Sequence, residues 1–438
     1  MKAIYDTPLP DGWSEEPLGK VVLTRRGYTW EKADEVDRAE ADTVPVIRIP
    51  NVQDTLDLAD LIHLRNVSQV AIEKAAVTKD WLLFVGSNGT QDRIGDSVLI
   101  EEDRPMVFAS FLIGIQPKDQ DRLRSDFFAH WMRLHLVHEI FSKTSQQTTG
   151  LANFSWGAVK KLPVRFPTCV DEQHRIAVAL KLVDDAIQKA RWELDATREL
   201  KRSLMASLFL LGMPGRHADF QETKIGLIPQ SWTVRTIKSV LADKPDSGTS
   251  PLSRPDPPGT PILNVSCVKE GVCSPAEVTY VDVSADEIDR YRTQAGDFFV
   301  LRGNGNRDFV ATGGLLRQTP EVDTIYSDKL IRLRFNSEDV ADRFVPYLWQ
   351  SKAFLNRLQS KAESGSGLWM MSKRDICREL FACPPPKEQQ EIVALLDSTE
   401  EQLNAQNKKV EALMGVKRSL LQNLLTGKIK IPEGAIHA

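Results

Sequence analysis

The sequence repeats itself at a constant spacing, and this repeat limits the folds that the chain can adopt. Gln173 and Gln389 are 216 positions apart, and each follows a glutamate. The same spacing carries Lys201–Leu204 onto Lys417–Leu420, with the letters KRSL in both places. Solenoid repeats are only about 20–50 residues long. The duplicated unit is therefore a whole domain followed by a long helix, which predicts an internal pseudo-two-fold arrangement suited to a two-part target.

Length and composition are those of a globular protein of the cytoplasm. A chain of 438 residues predicts two to four domains. No stretch approaches the roughly 18 apolar residues of a membrane span, and the first residues lack the apolar core of a secretion signal. The five cysteines show no CxxC spacing, so we expect reduced thiols. A net charge of −4 does not by itself favour nucleic acid, but locally basic loops are compatible with it.

The chain divides into four predicted segments, which together give an α+β fold. Two similar globular α/β domains, 1–170 and 216–386, alternate with long helices in 171–215 and 387–438. Short apolar runs predict strands in the first domain, and a longer apolar segment predicts a helix. The strands are Val21–Leu23, Val44–Ile47 and Trp81–Val85, and the helix is Asp121–Ser142.

Both long helices carry an apolar stripe with alternating steps of three and four, typical of a coiled coil. Each helix could pack on its own domain, but the matched register favours two antiparallel helices that pack on each other and separate the domains. The stripe also includes Leu200 and Val416. The expected seam residues are Ile176, Leu180, Ile187, Leu194, Leu204, Ile392, Leu396, Leu403, Val410 and Leu420.

In each domain a polar turn follows an apolar strand, and Asn88 and Asn304 occupy equivalent places in the two turns. Arginine can bind guanine, and asparagine adenine, through two hydrogen bonds. The turns are therefore candidate DNA contacts, although glycine and asparagine also suit a tight turn for conformational reasons alone. The candidates are Ser87, Asn88, Thr90, Gln91, Arg93, Arg302, Asn304, Asn306 and Arg307.

A second polar loop precedes each long helix. Its lysine, hydroxyl and amide side chains suit phosphate and base contacts, although an exposed linker has the same composition. The candidates are Lys143, Ser145, Gln146, Gln147, Lys361, Ser364 and Ser366. Arg25 and Arg26, which lie close to Tyr28, form a third candidate contact or else a solvated turn.

Motifs for catalysis are missing from the sequence. His130, His135 and His138 with Glu139 suggest a metal site at first sight. However, His130 is off the helical face shared by the other two histidines, and no HExxH is present. The glycine turn FVGSNG lacks the further features of a dinucleotide site, and no phosphate-binding GxxxxGK[ST] loop occurs. We therefore expect no metal, no bound cofactor and no catalytic residue in this chain.

The helix ends carry a recognisable pattern. Each long helix opens with Glu-Gln and an isoleucine three positions after the glutamine, and each carries Lys-Arg-Ser-Leu near its end. The last helix runs into LLTGKIKI at Leu424–Ile431. With these motifs duplicated, the sequence closely resembles the specificity subunits of type I restriction-modification systems over essentially its whole length. The globular halves match more loosely, as expected of target-recognition domains for different DNA sites.

This resemblance implies a non-catalytic subunit that recognises DNA. Each globular domain would read one half of a split, asymmetric site in double-stranded DNA. The helices would set the unread spacer and dock two methyltransferase subunits, and restriction-translocase subunits would join the complex. S-adenosylmethionine and ATP with magnesium would belong to those partners. The alternative is a structural adaptor whose domains bind proteins rather than DNA.

Overall fold

The computed structural model describes residues 5, 7–89, 92–134, 137, 139–140, 146–148, 151–153, 155–365 and 367–434. The chain forms two compact units. Unit 1 comprises Met1–Arg191 and Lys409–Ala438, and unit 2 comprises Trp192–Lys408. Each unit contains one globular domain together with parts of both long helices. We call the globular parts domain 1, which precedes the first long helix, and domain 2, which follows it.

Domain 1 contains short strands arranged in several small sheets. The strands are β1 (Trp13–Pro17), β2 (Val22–Arg26), β3 (Glu35–Val36), β4 (Val44–Ile47), β5 (Ile62–Leu64), β6 (Ala76–Val77), β7 (Leu82–Val85), β8 (Ser87–Asn88), β9 (Ser97–Leu99), β10 (Arg104–Phe108), β11 (Leu112–Pro117), β12 (Gln146–Thr148), β13 (Leu151–Asn153) and β14 (Pro163–Pro167). Its helices are α1 (Leu18–Val21), α2 (Gln69–Lys74), α3 (Ser125–Met132) and α4 (Trp156–Val159), and the first long helix is α5 (Val170–Leu211). The strand orders are β2-β11-β7-β9, β3-β5-β4-β10-β6, β1-β14 and β12-β13-β8.

Domain 2 repeats this plan. Its strands are β15 (Phe220–Thr223), β16 (Gly226–Pro229), β17 (Thr233–Thr236), β18 (Asp246–Ser247), β19 (Ser253–Arg254), β20 (Thr260–Leu263), β21 (Val268–Lys269), β22 (Val272–Cys273), β23 (Val278–Val281), β24 (Phe298–Leu301), β25 (Gly303–Asn304), β26 (Gly313–Leu315), β27 (Ile325–Tyr326), β28 (Leu330–Leu333), β29 (Glu363–Gly365), β30 (Leu368–Met370) and β31 (Leu380–Cys383). The helices are α6 (Ala285–Tyr291), α7 (Phe344–Gln350), α8 (Lys352–Gln359), α9 (Lys373–Arg378) and the second long helix α10 (Pro386–Leu424). The strand orders are β18-β28-β24-β26-β22-β21, β19-β23-β20-β27, β17-β31, β15-β16 and β25-β30-β29.

The central strand of each domain is buried on both faces. In β7, Leu82 and Phe84 belong to one core cluster, and the alternate residues Leu83 and Val85 belong to another. Strand β24 divides its residues between two cores in the same way. Successive side chains of a strand point to opposite faces, so a strand between two cores must be continuously apolar. This explains why both strands appear in the sequence as uninterrupted apolar runs.

The two long helices pack antiparallel within each unit. In unit 1, Asp184 of α5 forms an ion pair of 2.7 Å with Lys417 of α10. Nearer the start of α5, Leu180 shares a core with Leu424, close to the end of α10. In unit 2, Lys201 forms an ion pair of 3.1 Å with Glu400. The two ion pairs are equivalent under the 216-residue spacing, with acid and base exchanged between the helices.

Both packing alternatives for the stripe are realised, since the helices contact each other and also the domain cores. Ile176, Leu180, Ile187, Leu194, Ile392 and Leu396 are buried, whereas Leu204, Leu403, Val410 and Leu420 are half-buried. Leu200 and Val416 depart from the expectation, because they are 53% and 48% exposed. The steps of three and four in the stripe do not distinguish an inner position from a flanking one.

Two elements of domain 1 differ from the sequence prediction. The strand expected at Val21–Leu23 begins at Val22, because Val21 ends the short helix α1. The helix expected at Asp121–Ser142 is interrupted, since α3 covers Ser125–Met132 and residues 137, 139 and 140 are helical again, while residues 135, 136, 138, 141 and 142 lie outside the described residues. The chain turns at Arg133, whose guanidinium donates hydrogen bonds to the carbonyls of Asp54 and Ser97 at 2.7 and 3.2 Å.

Candidate nucleic-acid interface

Each domain joins its two polar loops into one small sheet. In domain 1, β8 pairs with β13 of the hairpin β12–β13, with Asn88 opposite Ala152. In domain 2, β25 pairs with β30 of the hairpin β29–β30, with Asn304 opposite Trp369. The sequence predicted these loops as separate contacts. The structure instead brings them together, so each domain has one continuous candidate surface.

Backbone hydrogen bonds fix the start of this sheet in both domains. The carbonyl of Phe111 accepts hydrogen bonds from the amides of Gly86 and Ser87 at 2.9 and 3.2 Å. In domain 2 the carbonyl of Lys329 accepts one from the amide of Arg302 at 2.8 Å. Each sheet therefore follows directly from the rigid central strand, and its position does not depend on a flexible loop.

The asparagines of the domain 2 turn stabilise the turn itself. The Oδ1 of Asn304 accepts a hydrogen bond from the amide of Asn306 at 2.9 Å. The Oδ1 of Asn306 in turn accepts one from the amide of Asp308 at 2.9 Å. Side-chain bonds to a backbone two residues on are typical of asparagine in turns. The conformational explanation therefore accounts for both asparagine Oδ1 atoms, while base contact by these residues stays a prediction.

The arginines of this turn differ in how strongly they are held. The Arg307 guanidinium lies 5.0 Å from the centre of the Trp369 ring and donates hydrogen bonds to the carbonyl of Gln359 at 3.2 and 3.3 Å. Arg302 is half-buried, and its side chain forms neither a hydrogen bond nor an ion pair with the residues that the structure describes. Of the two, Arg302 has the guanidinium more available to a ligand.

Lys361 is committed to an internal ion pair. Its ammonium group contacts the carboxylate of Glu379, which also accepts a hydrogen bond of 3.0 Å from Arg357. Glu379 is buried, and a buried carboxylate needs such partners to offset its lost hydration. Ser364 is exposed on β29, opposite Trp369. Lys361 therefore supports the hairpin, whereas Ser364 is open to solvent.

Two half-buried arginines of domain 1 are bound to other groups of the domain. The Arg25 guanidinium lies 3.9 Å from the centre of the Trp81 ring and donates a hydrogen bond of 2.9 Å to Thr78. Burial lowers the pKa of Arg25 to about 10. Arg93 is bound to Asp96 at 3.0 Å and to the carbonyl of Val52 at 2.7 Å. Arg26, the next residue of strand β2, is exposed.

Several candidate residues lie outside the part of the chain that the structure describes. These are Thr90, Gln91, Lys143, Ser145 and Ser366, and the side chains of Gln146 and Gln147. His135 and His138 of the discounted metal motif also fall outside it. His130 is buried in the core of unit 1, and burial lowers its pKa to about 4. The described residues contain no group of three or more potential metal ligands.

The Glu-Gln pair at the start of each long helix has a structural role that the sequence alone did not reveal. Buried Gln173 donates hydrogen bonds to the carbonyls of Arg122 and Pro167, both at 2.8 Å, and accepts one from the amide of Arg124 at 2.9 Å. Buried Gln389 donates to the carbonyl of Pro384 and accepts from the amide of Ala341, both at 2.8 Å. Each glutamine thus fastens the start of a long helix to its domain.

The glutamates of these pairs differ between the units. Glu388 accepts hydrogen bonds from the amide of Met213 at 3.0 Å and the indole of Trp232 at 3.0 Å, and it contacts His217 at 2.8 Å. In unit 1, the Oε1 atom of Glu172 is buried and has no hydrogen-bond partner in the described structure, and the same holds for the indole nitrogen of Trp13. One motif therefore supports two different local arrangements.

Comparison with known proteins gives a consistent result. Residues 10–194 match the type I restriction modification DNA specificity domain family. Over nearly its whole length the chain is also similar to specificity subunits of type I restriction enzymes. The EcoKI specificity subunit of Escherichia coli K12 is 25% identical, over 96% of this chain and 90% of that protein. The StySPI specificity subunit of Salmonella potsdam is 20% identical over the same shares.

Solved structures show the same fold. The type I S subunit from M. genitalium aligns over 96% of this chain and 97% of its own, with a TM-score of 0.56 and 13% identity. Among the described residues, no helix is both long enough and apolar enough to cross a membrane.

Proposed function

We propose that this subunit selects a bipartite DNA site, with domain 1 reading one half and domain 2 the other. The observation that carries the proposal is the duplicated small sheet. The sheets β8-β13-β12 and β25-β30-β29 have the same strand order, and β8 and β25 are 216 residues apart. Two equivalent surfaces with different side chains suit two different half-sites. An asymmetric target follows, because the candidate residues around the repeated Asn88 and Asn304 differ between the two turns.

The long helices act as the spacer in this proposal. Helix α5 has 42 residues and α10 has 39, which at 1.5 Å per residue gives about 60 Å of helix each. The ion pairs Asp184–Lys417 and Lys201–Glu400 hold the helices together within the respective units. A fixed helix pair of this kind favours a constant number of unread base pairs between the half-sites.

The helices also offer a repeated docking surface for partners. Leu200 in unit 2 and Val416 in unit 1 are exposed and occupy equivalent positions in the repeat. A surface present twice in one chain suits two copies of one partner, and we assign it to two methyltransferase subunits. Those partners supply S-adenosylmethionine, and restriction-translocase subunits supply ATP with magnesium. Double-stranded DNA is the ligand of this chain, and the complex works in the cytoplasm.

Methylome sequencing tests the proposal. The chain is co-expressed with its methyltransferase subunit in cells that lack other adenine methylation. We expect methylated adenines in one split motif with two different halves and a constant gap. A continuous motif, or no methylation dependent on this chain, contradicts the proposal.

Exchange of residues 1–165 for those of another specificity subunit separates the two domains. One half of the motif should change, and the other half and the gap should stay as they were. A change in both halves would show that the domains do not read independently.

A further inference from the structure

The hairpin β29–β30 of domain 2 turns apolar side chains outward. Met370 lies opposite Gly303 on one neighbouring strand and opposite Glu363 on the other, and Leu368 lies opposite Gly365. Side chains of directly paired residues lie on the same face of a sheet, and successive residues alternate. Trp369 is therefore on the opposite face, where it packs against the core of domain 2. Asn304 and Ser364, its cross-strand partners, are on the face of Trp369, where Ser364 on the edge strand β29 is exposed.

The outward face is accessible and shaped by its glycine. Leu368 is 49% exposed and Met370 is 37% exposed. A Cβ atom at Gly303 would collide with the thioether sulfur of Met370, so the glycine lets this side chain lie flat across β25. Contiguous exposed apolar side chains mark interaction sites when they form a patch with their neighbours. Their sheet contains the candidate DNA contact Asn304, although Leu368 and Met370 lie on its opposite face.

We propose that Leu368 and Met370 contact thymine methyl groups in the major groove of the half-site that domain 2 reads. This inference rests on the proposed function. Thymine is the only standard base that presents a methyl group there, and a two-stranded ribbon fits this groove. Methionine and leucine are suited to such a contact because they bury the methyl group without leaving a polar atom unpaired.

The charged neighbour on this face favours base edges over the DNA backbone. Glu363 is exposed and lies directly opposite Met370. A carboxylate repels phosphates but accepts hydrogen bonds from the amino group of cytosine in the major groove. Arg302 directly precedes β25 and brings a positive charge to the edge of the same small sheet. An apolar pair beside one acid matches the mixed chemistry of base edges.

The equivalent hairpin of domain 1 has different residues. Leu151, Ala152 and Asn153 occupy the places of Leu368, Trp369 and Met370. Asparagine instead of methionine removes one of the two apolar groups that the proposal uses. Removal of thymine methyl groups should therefore affect the two half-sites unequally, with the stronger effect in the half-site of domain 2.

Replacement of thymine by uracil provides a direct test. The purified complex of this chain with its methyltransferase is titrated with duplexes that carry the mapped site, and single thymines in each half are replaced by uracil. Uracil lacks only the C5 methyl group. We expect about fourfold weaker binding for each contacted methyl in the half-site of domain 2, the value for one buried carbon. Equal affinity for both duplexes, or a half-site without thymine, overturns the proposal.

Variants link the effect to these residues. The double substitution Leu368→Ala with Met370→Ala should bind thymine and uracil duplexes equally, whereas Val322→Ala, at another exposed apolar residue of unit 2, should keep the discrimination. If the double variant still discriminates between thymine and uracil duplexes, the proposal fails. If that variant also loses the methyltransferase, the hairpin face is a protein contact instead. Complete absence of site-specific binding by the unsubstituted complex would instead contradict the proposed function.

Discussion

The small sheets of the two domains share their backbone pairing but carry different side chains. Arg302 of domain 2 has Gly86 as its equivalent in domain 1, and the carbonyl that anchors this position belongs to Lys329 in one domain and to Phe111 in the other. By contrast, the central strands β7 and β24 are buried on both faces in both domains. Packing in the core keeps the central strands alike in the two domains, whereas the side chains of the exposed sheet are free to differ.

At the junctions between the domains and the long helices, the same pair of residues occurs twice, but only one of the two residues has the same role in both units. Gln173 and Gln389 perform the same anchoring in both units. Glu172 and Glu388, although identical in sequence position, have different surroundings. The comparison indicates that the glutamine is required by the architecture, while the role of the glutamate depends on which residues precede its domain.

The largest effect is expected from removal of the anchoring glutamines. Gln389→Ala leaves the amide of Ala341 and the carbonyl of Pro384 without their partner, so the free energy of unfolding of unit 2 should fall by about 3 kcal/mol. Gln173→Ala should lower that of unit 1 by a similar amount. Hydrogen exchange measured by mass spectrometry can assign the loss to a unit. The neighbouring exposed Gln390→Ala is the control and should change little.

A second test separates the two glutamates. Glu388→Gln should destabilise unit 2 by about 2 kcal/mol, since it weakens charge-assisted hydrogen bonds. Glu172→Gln should cost less than about 0.5 kcal/mol, because its buried oxygen has no partner in the described structure. Denaturant titration of both variants measures the difference. Equal losses in both variants would show that the two junctions are alike after all.

The same carboxylate gives unit 2 a pH dependence. Burial alone would raise the pKa of Glu388, but hydrogen bonds from Met213, His217 and Trp232 outweigh it and hold the pKa below its usual range. A lowered folded-state pKa gives stability that is present above about pH 4.3, the unfolded value, and is lost as the pH falls through the folded value. In the Glu388→Gln variant, unit 2 should lose less stability as the pH falls.

A smaller effect, on DNA binding, is expected for Arg302, whose equivalent in domain 1 is a glycine. Arg302→Ala should weaken DNA binding by about tenfold, and the preference should relax at one position of the domain 2 half-site alone if the guanidinium contacts a base. If it contacts a phosphate, the salt dependence of binding should instead fall by about one unit of slope. Fluorescence anisotropy at several stated salt concentrations distinguishes these results. A relaxed preference in the other half-site would break the proposed division between the domains.

The smallest effect is expected at the repeated ion pairs. Lys417→Glu should destabilise unit 1 by about 1 kcal/mol, since it places two acids together at a half-buried site. Adding Asp184→Lys should restore part of the loss, because Arg133 also binds Asp184 at 3.4 Å. The matched pair Lys201→Glu and Glu400→Lys should behave in the same way in unit 2, although Arg317 also binds Glu400 at 2.9 Å. Thermal unfolding of single and double variants measures the coupling.

The long elements could be predicted from the sequence because their signals are local. The apolar stripes located both long helices, observed as Val170–Leu211 and Pro386–Leu424. The small sheets could not be predicted, because β8 pairs with a strand more than sixty residues further along the chain. The burial of Arg25 could not be predicted either. Arg25 and Arg26 are adjacent in one strand and point to opposite faces, and their sequence does not show which face is inside.

The exchanged ion pairs have an evolutionary consequence. Helix α5 carries the acid Asp184 and the base Lys201, and α10 carries their equivalents Glu400 and Lys417. Either half of the chain thus brings both members of a self-complementary contact. Recombination between genes for chains with this internal repeat could bring together halves of different ancestry, and the seam would still match. New DNA specificities could then arise by reshuffling intact modules, without gradual redesign of a reading surface.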